Sequence, residues 1–289
     1  MAPPVIMHVN YCEQGQTIEE MCEKAVRWGF DGIEFRSSRR GVDETPAQYL
    51  DTIARAVERT GLKHVLFGGP GPDLMNPDPS VREREIERMT TFYELAAQRF
   101  PLTVCNAMTG TLRNPDPAAP PREYELHGSG AATPDHWRWA AEGYQQIARV
   151  AEKLGFRLAF EIHPNYLHDT VPATMRLVRE IGAPHVGVNL DYGNLVYFKK
   201  PPSLKEAVEQ TRSALYLVHL KNSIGLPGGQ RFPVGLGDGD INHREFLALL
   251  KASGYDGPIC IEAPRPGDRE HFAVQDLAYI RSVLEALGW

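Results

Sequence analysis

The sequence predicts a closed (β/α)8 barrel of the α/β class, and three observations carry that prediction. Eight short apolar runs alternate with amphipathic stretches along the 289 residues. The runs are continuously apolar and do not alternate with polar residues, which is the pattern of parallel strands buried on both faces. Several helical stretches also close on a glycine just before the next run, a repeated αβ turn. Eight such units in a chain of this length match a closed barrel better than an open sheet. No composition shift or charge run marks a linker, so residues 1–289 read as a single domain.

The apolar runs fall at 5–9, 32–35, 64–67, 102–105, 158–162, 186–190, 215–220 and 259–261. Helical patterns lie between them, at 17–28, 47–60, 81–100, 136–154, 171–181, 204–212, 244–252 and 269–287. Thr17 and Glu20 have capping-box spacing at the start of the first, and Asn242 with Glu245 repeats it ahead of the last run. Gly29, Gly61, Gly155 and Gly254 sit where a helix needs a left-handed residue to end. The longest irregular segment, 106–134, is rich in Pro, Gly and Ala and follows the fourth run. It therefore lies on the face where the βα loops gather, as a lid, a subunit contact or a tolerated insertion. Residues 235–240 (GLGDGD) lack the Lys-Ser/Thr of a phosphate-binding loop and open no helix, so they read as a tight turn.

Composition narrows the function classes. Lys+Arg 31 against Asp+Glu 37 leaves a formal charge of −6, whereas a duplex-binding protein needs a basic excess to neutralise phosphates. No apolar run approaches the ~18 residues of a membrane helix. The N-terminus lacks a basic stretch followed by an apolar one, so no secretory signal is visible. Cys12, Cys22, Cys105 and Cys260 are scattered, with no CxxC pair. The expectation is a soluble, cytoplasmic enzyme of a small molecule, with neither nucleic acid nor membrane as partner.

Active sites of such barrels are built at the C-terminal ends of the strands. The fifth run ends in Phe160-Glu161-Ile162-His163, the sixth in Asn189-Leu190-Asp191, the seventh in Val218-His219-Leu220-Lys221 and the eighth in Ile261-Glu262-Ala263. Four successive strands thus deliver Glu161, Asp191, His219 and Glu262 to one rim. Adjacent strands lie about 4.8 Å apart, so the four side chains can converge on one ion. A single carboxylate at a strand end is usually a helix cap or a solvated loop residue, but four in succession are hard to produce that way. Three carboxylates and an imidazole, without a thiolate, favour a hard to borderline divalent cation, Mn²⁺ first, with Mg²⁺ or Co²⁺ also suited.

These residues, with Gly-Asp-Gly-Asp-Ile-Asn at 237–242 and Ile-Glu-Ala-Pro-Arg-Pro at 261–266, resemble the xylose isomerase-like TIM barrels. That superfamily of sugar phosphate isomerases and epimerases includes ketose 3-epimerases, inosose and 3-dehydroshikimate dehydratases and, more distantly, endonuclease IV. The resemblance implies that Glu161, Asp191, His219 and Glu262 hold one divalent cation. It also implies that Glu161 and Glu262 exchange the substrate proton from opposite faces, through an enediolate. The implied substrate is a sugar or keto-polyol, and the implied assembly a homo-oligomer.

Further candidates surround the quartet. His163 follows Glu161 by two residues and serves as a second base or as a positioning partner of Glu161. Asn165, His168, Asn194, Lys221, Arg231 and Arg265 are expected to contact substrate, with Lys221 and Arg265 suited to a carboxylate, a phosphate or hydroxyls. Asp169-Thr170 reads as a helix cap. His8, Asn10 and Glu34 end the first two strands and should face the same mouth, while Cys260 reads as core. Trp137/Trp139 and Tyr192/Tyr197 are either ring-stacking or packing pairs. Many superfamily members carry histidine three residues after the sixth-strand aspartate, where this chain has Asn194. An amide neither transfers a proton nor readily binds a hard cation, which counts against a three-metal endonuclease. Isomerisation or epimerisation is the first reading. A lyase, either dehydratase-like or acting on a keto-glycoside, is the alternative, and an endonuclease IV-like nuclease is the least favoured.

Overall fold

The eight apolar runs pair side by side in parallel and close on themselves. The computed structural model describes residues 2–39, 41–69 and 71–289. Strands β1 (Val5–His8), β2 (Gly32–Arg36), β3 (His64–Gly68), β4 (Val104–Ala107), β5 (Arg157–Glu161), β6 (Val186–Asp191), β7 (Leu215–Leu220) and β10 (Ile259–Ile261) form the barrel. The strand order is β1-β10-β7-β6-β5-β4-β3-β2, with every pairing parallel. A second sheet breaks the expected pattern: β8 (Asn222–Gly225) and β9 (Arg231–Val234) form an antiparallel hairpin after β7. The 235–240 turn follows it, and Asp240 pins the hairpin by accepting from the Gly225 N–H and from Arg231. The sequence hid this pair because its outer residues are exposed and carry no sustained apolar run.

Helices α1 (Ile18–Trp28), α2 (Pro46–Thr60), α3 (Pro79–Ala97), α4 (Pro134–Leu154), α5 (Val171–Ile181), α6 (Tyr192–Leu195), α7 (Leu204–Thr211), α8 (His243–Ser253) and α9 (Arg269–Ala286) accompany the strands. Thr17 and Glu20 form the expected reciprocal capping box. At α8 the Asn242 side chain accepts from the Glu245 N–H, one half of the box. Gly29, Gly61, Gly155 and Gly254 each end a helix in the left-handed region, as their placement predicts. Trp137 packs under Arg176, and Trp139 against Arg82 and His136. Tyr192 packs on Phe246 and Tyr197 on Tyr124, so both pairs serve packing. Among the described residues no helix is long and apolar enough to cross a membrane.

One small apolar cluster, Ile6, Leu66, Val104, Ala159, Leu217 and Cys260, is separate from the main core. It takes one residue from each of six barrel strands, as a layer inside the cylinder does. Side chains two residues apart on a strand share a face. Counting two residues on from this layer leads to His8, Gly68, Asn106, Glu161, His219 and Glu262. The layer above the apolar plug is therefore almost wholly polar, and it is the floor of the site.

Candidate metal centre

Glu161, Asp191, His219 and Glu262 each offer a ligand atom, and these atoms lie within 4.8 Å of one another. Glu161 and Asp191 are the last residues of β5 and β6, His219 lies one residue inside the end of β7, and Glu262 follows β10. Asp191 and His219 are buried, while the Glu262 side chain keeps 18% of its exposure, so this carboxylate is the one that opens toward solvent. Nδ1 of His219 faces the cluster, 3.1 Å from Glu262 Oε2 and 3.9 Å from Glu161 Oε2.

The opposite nitrogen of His219 explains Glu34. Nε2 lies 2.8 Å from Glu34 Oε2, and both side chains are fully buried. Glu34 was expected at the mouth, but it stands behind His219 instead. Gly68 makes this possible, because a Cβ there would come within 2.4 Å of Glu34 Oε1. A carboxylate accepting from Nε2–H leaves the Nδ1 lone pair for an ion, an arrangement typical of metal-binding histidines. Burial works against a charged His219, but Glu34 and its other neighbours outweigh that and hold its pKa well above the ordinary value. Glu34→Gln is therefore expected to weaken divalent-ion affinity about 10–100-fold. Titration of Mn²⁺ into wild type and variant checks it, and equal affinities would remove Glu34 from the site.

Around the quartet lies a shell of amides. Asn106 Nδ2 donates to Glu161 Oε2 at 2.8 Å, and Asn10 Nδ2 donates to Glu262 Oε1 at 3.2 Å. Asn194 Nδ2 lies 3.0 Å from Glu161 Oε1 and 3.1 Å from Asp191 Oδ2. Asn194 thus orients two carboxylates. Asn106 and Asn189 are polar residues inside buried strands, a sequence signal that could have marked them as part of the site.

Lys221 does not reach toward a substrate carboxylate. Its ammonium lies 2.7 Å from Asp191 Oδ2, 3.3 Å from Glu262 Oε2 and 3.9 Å from Glu161 Oε1. Gly193 gives its stem room, since a Cβ there would stand 2.1 Å from Lys221 Cγ. Burial opposes the Lys221 charge, but the three carboxylates hold its pKa well above the usual value. Complete burial pushes the Asp191 carboxyl up to about 7, against the pull of Lys221. For Glu262 burial acts in the same upward sense but is overcome, chiefly by Lys221, and the pKa falls well below the ordinary range. With Glu34 included, four carboxylates share this buried space. A cluster of that charge that already draws in an ammonium, and whose donors are oxygen and imidazole nitrogen, fits a divalent cation.

A cavity of about 460 Å³ opens above the quartet, lined by Glu161, Glu262, His8, His163, Asn106 and Tyr166, with Arg36 and Ser38 on its wall. His163 Nδ1 lies 2.9 Å from the Pro164 carbonyl, so that nitrogen donates and Nε2 keeps a lone pair. His8 Nδ1 accepts from the Asn10 N–H, which puts the proton on Nε2, 3.8 Å from Glu262 Oε1. Arg36 and Tyr166 were not anticipated, because each needs its neighbour on another strand or loop to be recognised.

Four expected contacts lie elsewhere. His168 is fully buried behind Glu161, with Nδ1 against the Glu161 carbonyl and Nε2 accepting from the Thr109 N–H. Burial lowers its pKa to about 4, so the ring is a neutral strut. Asn165 has φ 67°, and its carbonyl accepts from Leu112 N–H in the 106–134 segment, so it is a corner residue. Arg231 is held by Ser223 and Asp240, and Arg265 by the Ala263 carbonyl and Asp276, so neither lines the cavity. Their salt-bridge partners stand 9 and 11 residues further along the chain, and only folding decides whether such a pair forms.

The 106–134 segment is stitched to the barrel, not loose. Thr111 bridges to Tyr166, and the Asp169 carboxylate accepts from the Ser129 N–H at 3.0 Å, while Thr170 alone caps α5. Burial raises the Asp169 carboxyl to about 7. The folded chain therefore keeps this proton up to about pH 7, whereas an unfolded aspartate releases it near 3.9. Asp169 thus contributes stability that is full below pH 4 and lost as pH rises through 7. A tenfold change in proton affinity is worth about 1.4 kcal/mol, so the loss is of the order of a few kcal/mol. In urea melts across this range, wild type should lose stability relative to Asp169→Asn as pH rises. A constant difference would show that Asp169 is ionised throughout.

The xylose isomerase-like TIM barrel description matches residues 22–283, and the chain belongs to that family. It is 24% identical over 285 residues to inosose dehydratase of Lactiplantibacillus plantarum, covering 83% of this chain and 89% of that one. It is 28% identical over 146 residues to an uncharacterized protein of Methanocaldococcus jannaschii, where the match covers 50% of this chain. The chain spans about half the length of that protein (47%) and of an inosose isomerase from Halalkalibacterium halodurans (44%). Among solved structures, the 3-keto-D-glucoside 4-epimerase YcjR from E. coli superposes with a TM-score of 0.73 at 17% identity, over 97% of this chain and 100% of that one. A xylose isomerase-like TIM barrel protein from Mycobacterium smegmatis, in complex with magnesium, gives 0.75 at 18% identity, over 99% and 98%.

Proposed function

We propose that the chain is a divalent-metal-dependent isomerase or epimerase of a sugar or keto-polyol, with Glu161 and Glu262 as its proton-transfer pair. The observation that carries this reading is that both carboxylates belong to the ligand quartet and also line the same cavity. Glu161, Asp191, His219 and Glu262 would hold the ion, Mn²⁺ best by donor chemistry, with Mg²⁺ and Co²⁺ as alternatives. Such an ion supplies Lewis acidity, polarising a carbonyl and acidifying the neighbouring C–H.

The residues divide the remaining work. One glutamate takes the proton from the carbon beside the carbonyl, breaking the C–H bond, and the other returns a proton to the opposite face of that carbon. Asn106 and Asn194 aim both oxygens of Glu161, and Asn10 steadies Glu262. His8 and His163 present a ring donor and a ring acceptor to substrate hydroxyls. Incubation with Mn²⁺ and a panel of ketoses and keto-acids in D₂O tests the reading. Deuterium should enter at the carbon next to the carbonyl, and a panel without any exchange would refute it.

A second reading, β-elimination of water, is favoured by one feature: His163 is a third proton-handling group on the same cavity. Its Nε2, once protonated, would donate to the departing hydroxyl, which leaves as water while a glutamate takes the carbon-bound proton. The likeness to inosose dehydratase supports the same reading. A product lighter by one water, with a new conjugated chromophore, would decide for it.

A further inference from the structure

A second cavity, of about 480 Å³, lies beside the first and shares Arg36 and Ser38 with it. It is formed by the segments after β1 and β2 together with the start of α9, and nothing in the quartet's chemistry requires it. We propose that it is a subsite for the second ring of a glycoside, a neutral sugar or aryl group joined to the unit held at the metal centre. This assignment rests on the sugar reading above and names its substrate class.

Three features argue for it. At about 480 Å³ the second cavity has room for a whole ring and not only for a small substituent. Next, the wall is mixed: Val9, Ile18, Met21 and Phe35 offer an apolar surface, with arginines beside them. Apolar surface for a ring face and a few placed polar groups for its edge are the usual make-up of a small-molecule site.

The third feature is the charge state of those arginines. Arg36 gives Nε and Nη2 to Glu13 at 2.6 and 2.9 Å, and Arg39 makes the same fork with Glu44. Each cation is thereby met by a carboxylate held in two bonds, the strong form of this pair. A phosphate or carboxylate ligand would have to compete with Glu13 and Glu44 for these two guanidinium groups. A hydroxyl both donates and accepts, so it suits a wall that carries N–H groups and carboxylate oxygens side by side. Arg269 lines this cavity as well. Its Nη1 donates to the carbonyl of Asn10, the residue whose side chain holds Glu262, so the subsite adjoins the proton-transfer group.

Calorimetry on the Mn²⁺-loaded protein, with methyl β-D-glucoside, phenyl β-D-glucoside, cellobiose and glucose 6-phosphate, tests the assignment. Phenyl glucoside or cellobiose should bind at least about tenfold more tightly than the methyl glycoside. Val42 lines only the second cavity and is 45% exposed, so Val42→Trp fills the space without disturbing the core. In that variant the gain should fall below about threefold. Equal affinity for one-ring and two-ring ligands, an undiminished gain in Val42→Trp, or a comparable gain for glucose 6-phosphate would each overturn the proposal. The gain from the second ring is a binding readout, independent of exchange. If it is present while no ligand or ketose exchanges deuterium, the subsite stands and the proton-transfer reading falls.

Discussion

Glu161→Gln and Glu262→Gln are each expected to reduce metal-dependent deuterium exchange by about 10³-fold or more, near the upper range for removal of a positioned acid or base. Glutamine keeps the shape but can neither take nor return the proton. The two variants should differ in a second respect. Both Glu161 oxygens accept from amides, Asn106 on one side and Asn194 on the other. An NH₂ group at either position meets another NH₂, so Glu161→Gln also loosens the site. Glu262 keeps 18% of its side-chain exposure, and a glutamine there can turn. Glu262→Gln should therefore retain more Mn²⁺ affinity than Glu161→Gln while losing exchange as fully. Parallel metal titration and exchange rates check this, and full exchange in either variant would refute the paired-carboxylate mechanism.

Divalent ion should also stabilise the fold strongly. Glu34, Glu161, Asp191 and Glu262 are crowded into one buried space with Lys221 and His219 as their nearby cations. Binding of an ion to the folded state alone contributes about 4 kcal/mol when it is present at 1,000 times its Kd. At about 2–4 °C per kcal/mol for a chain of this class, chelated protein should gain roughly 10 °C in Tm on addition of Mn²⁺. Asp191→Ala removes a proposed ligand and the main partner of Lys221, and should abolish most of that gain. A Tm unmoved by millimolar Mn²⁺, Mg²⁺ or Co²⁺ would show that these side chains do not hold a metal.

The fold was readable because its signals are local. Continuous apolar runs, glycine at helix ends and Thr17 with Glu20 each act within a few residues, and the structure uses all of them. The quartet was readable for a related reason. In a barrel every strand points the same way, so a residue at a strand end is assigned to the common rim by its position alone. Arg231 and Arg265 show where this stops. Both sit near the rim and have the right chemistry, yet Asp240 and Asp276 take them up.

Sequence alone thus determined the eight strand–helix units, their closure and the four residues that meet above the apolar plug, since periodicity and strand polarity are properties of neighbours along the chain. Tertiary structure decided the rest. It set Glu34 behind His219, drew Lys221 in among the carboxylates, hid His168 as a strut and joined a second cavity to the first at Arg36. Each of those outcomes depends on which distant groups reach a side chain first when the cylinder closes, and a linear order of residues carries no distance between them.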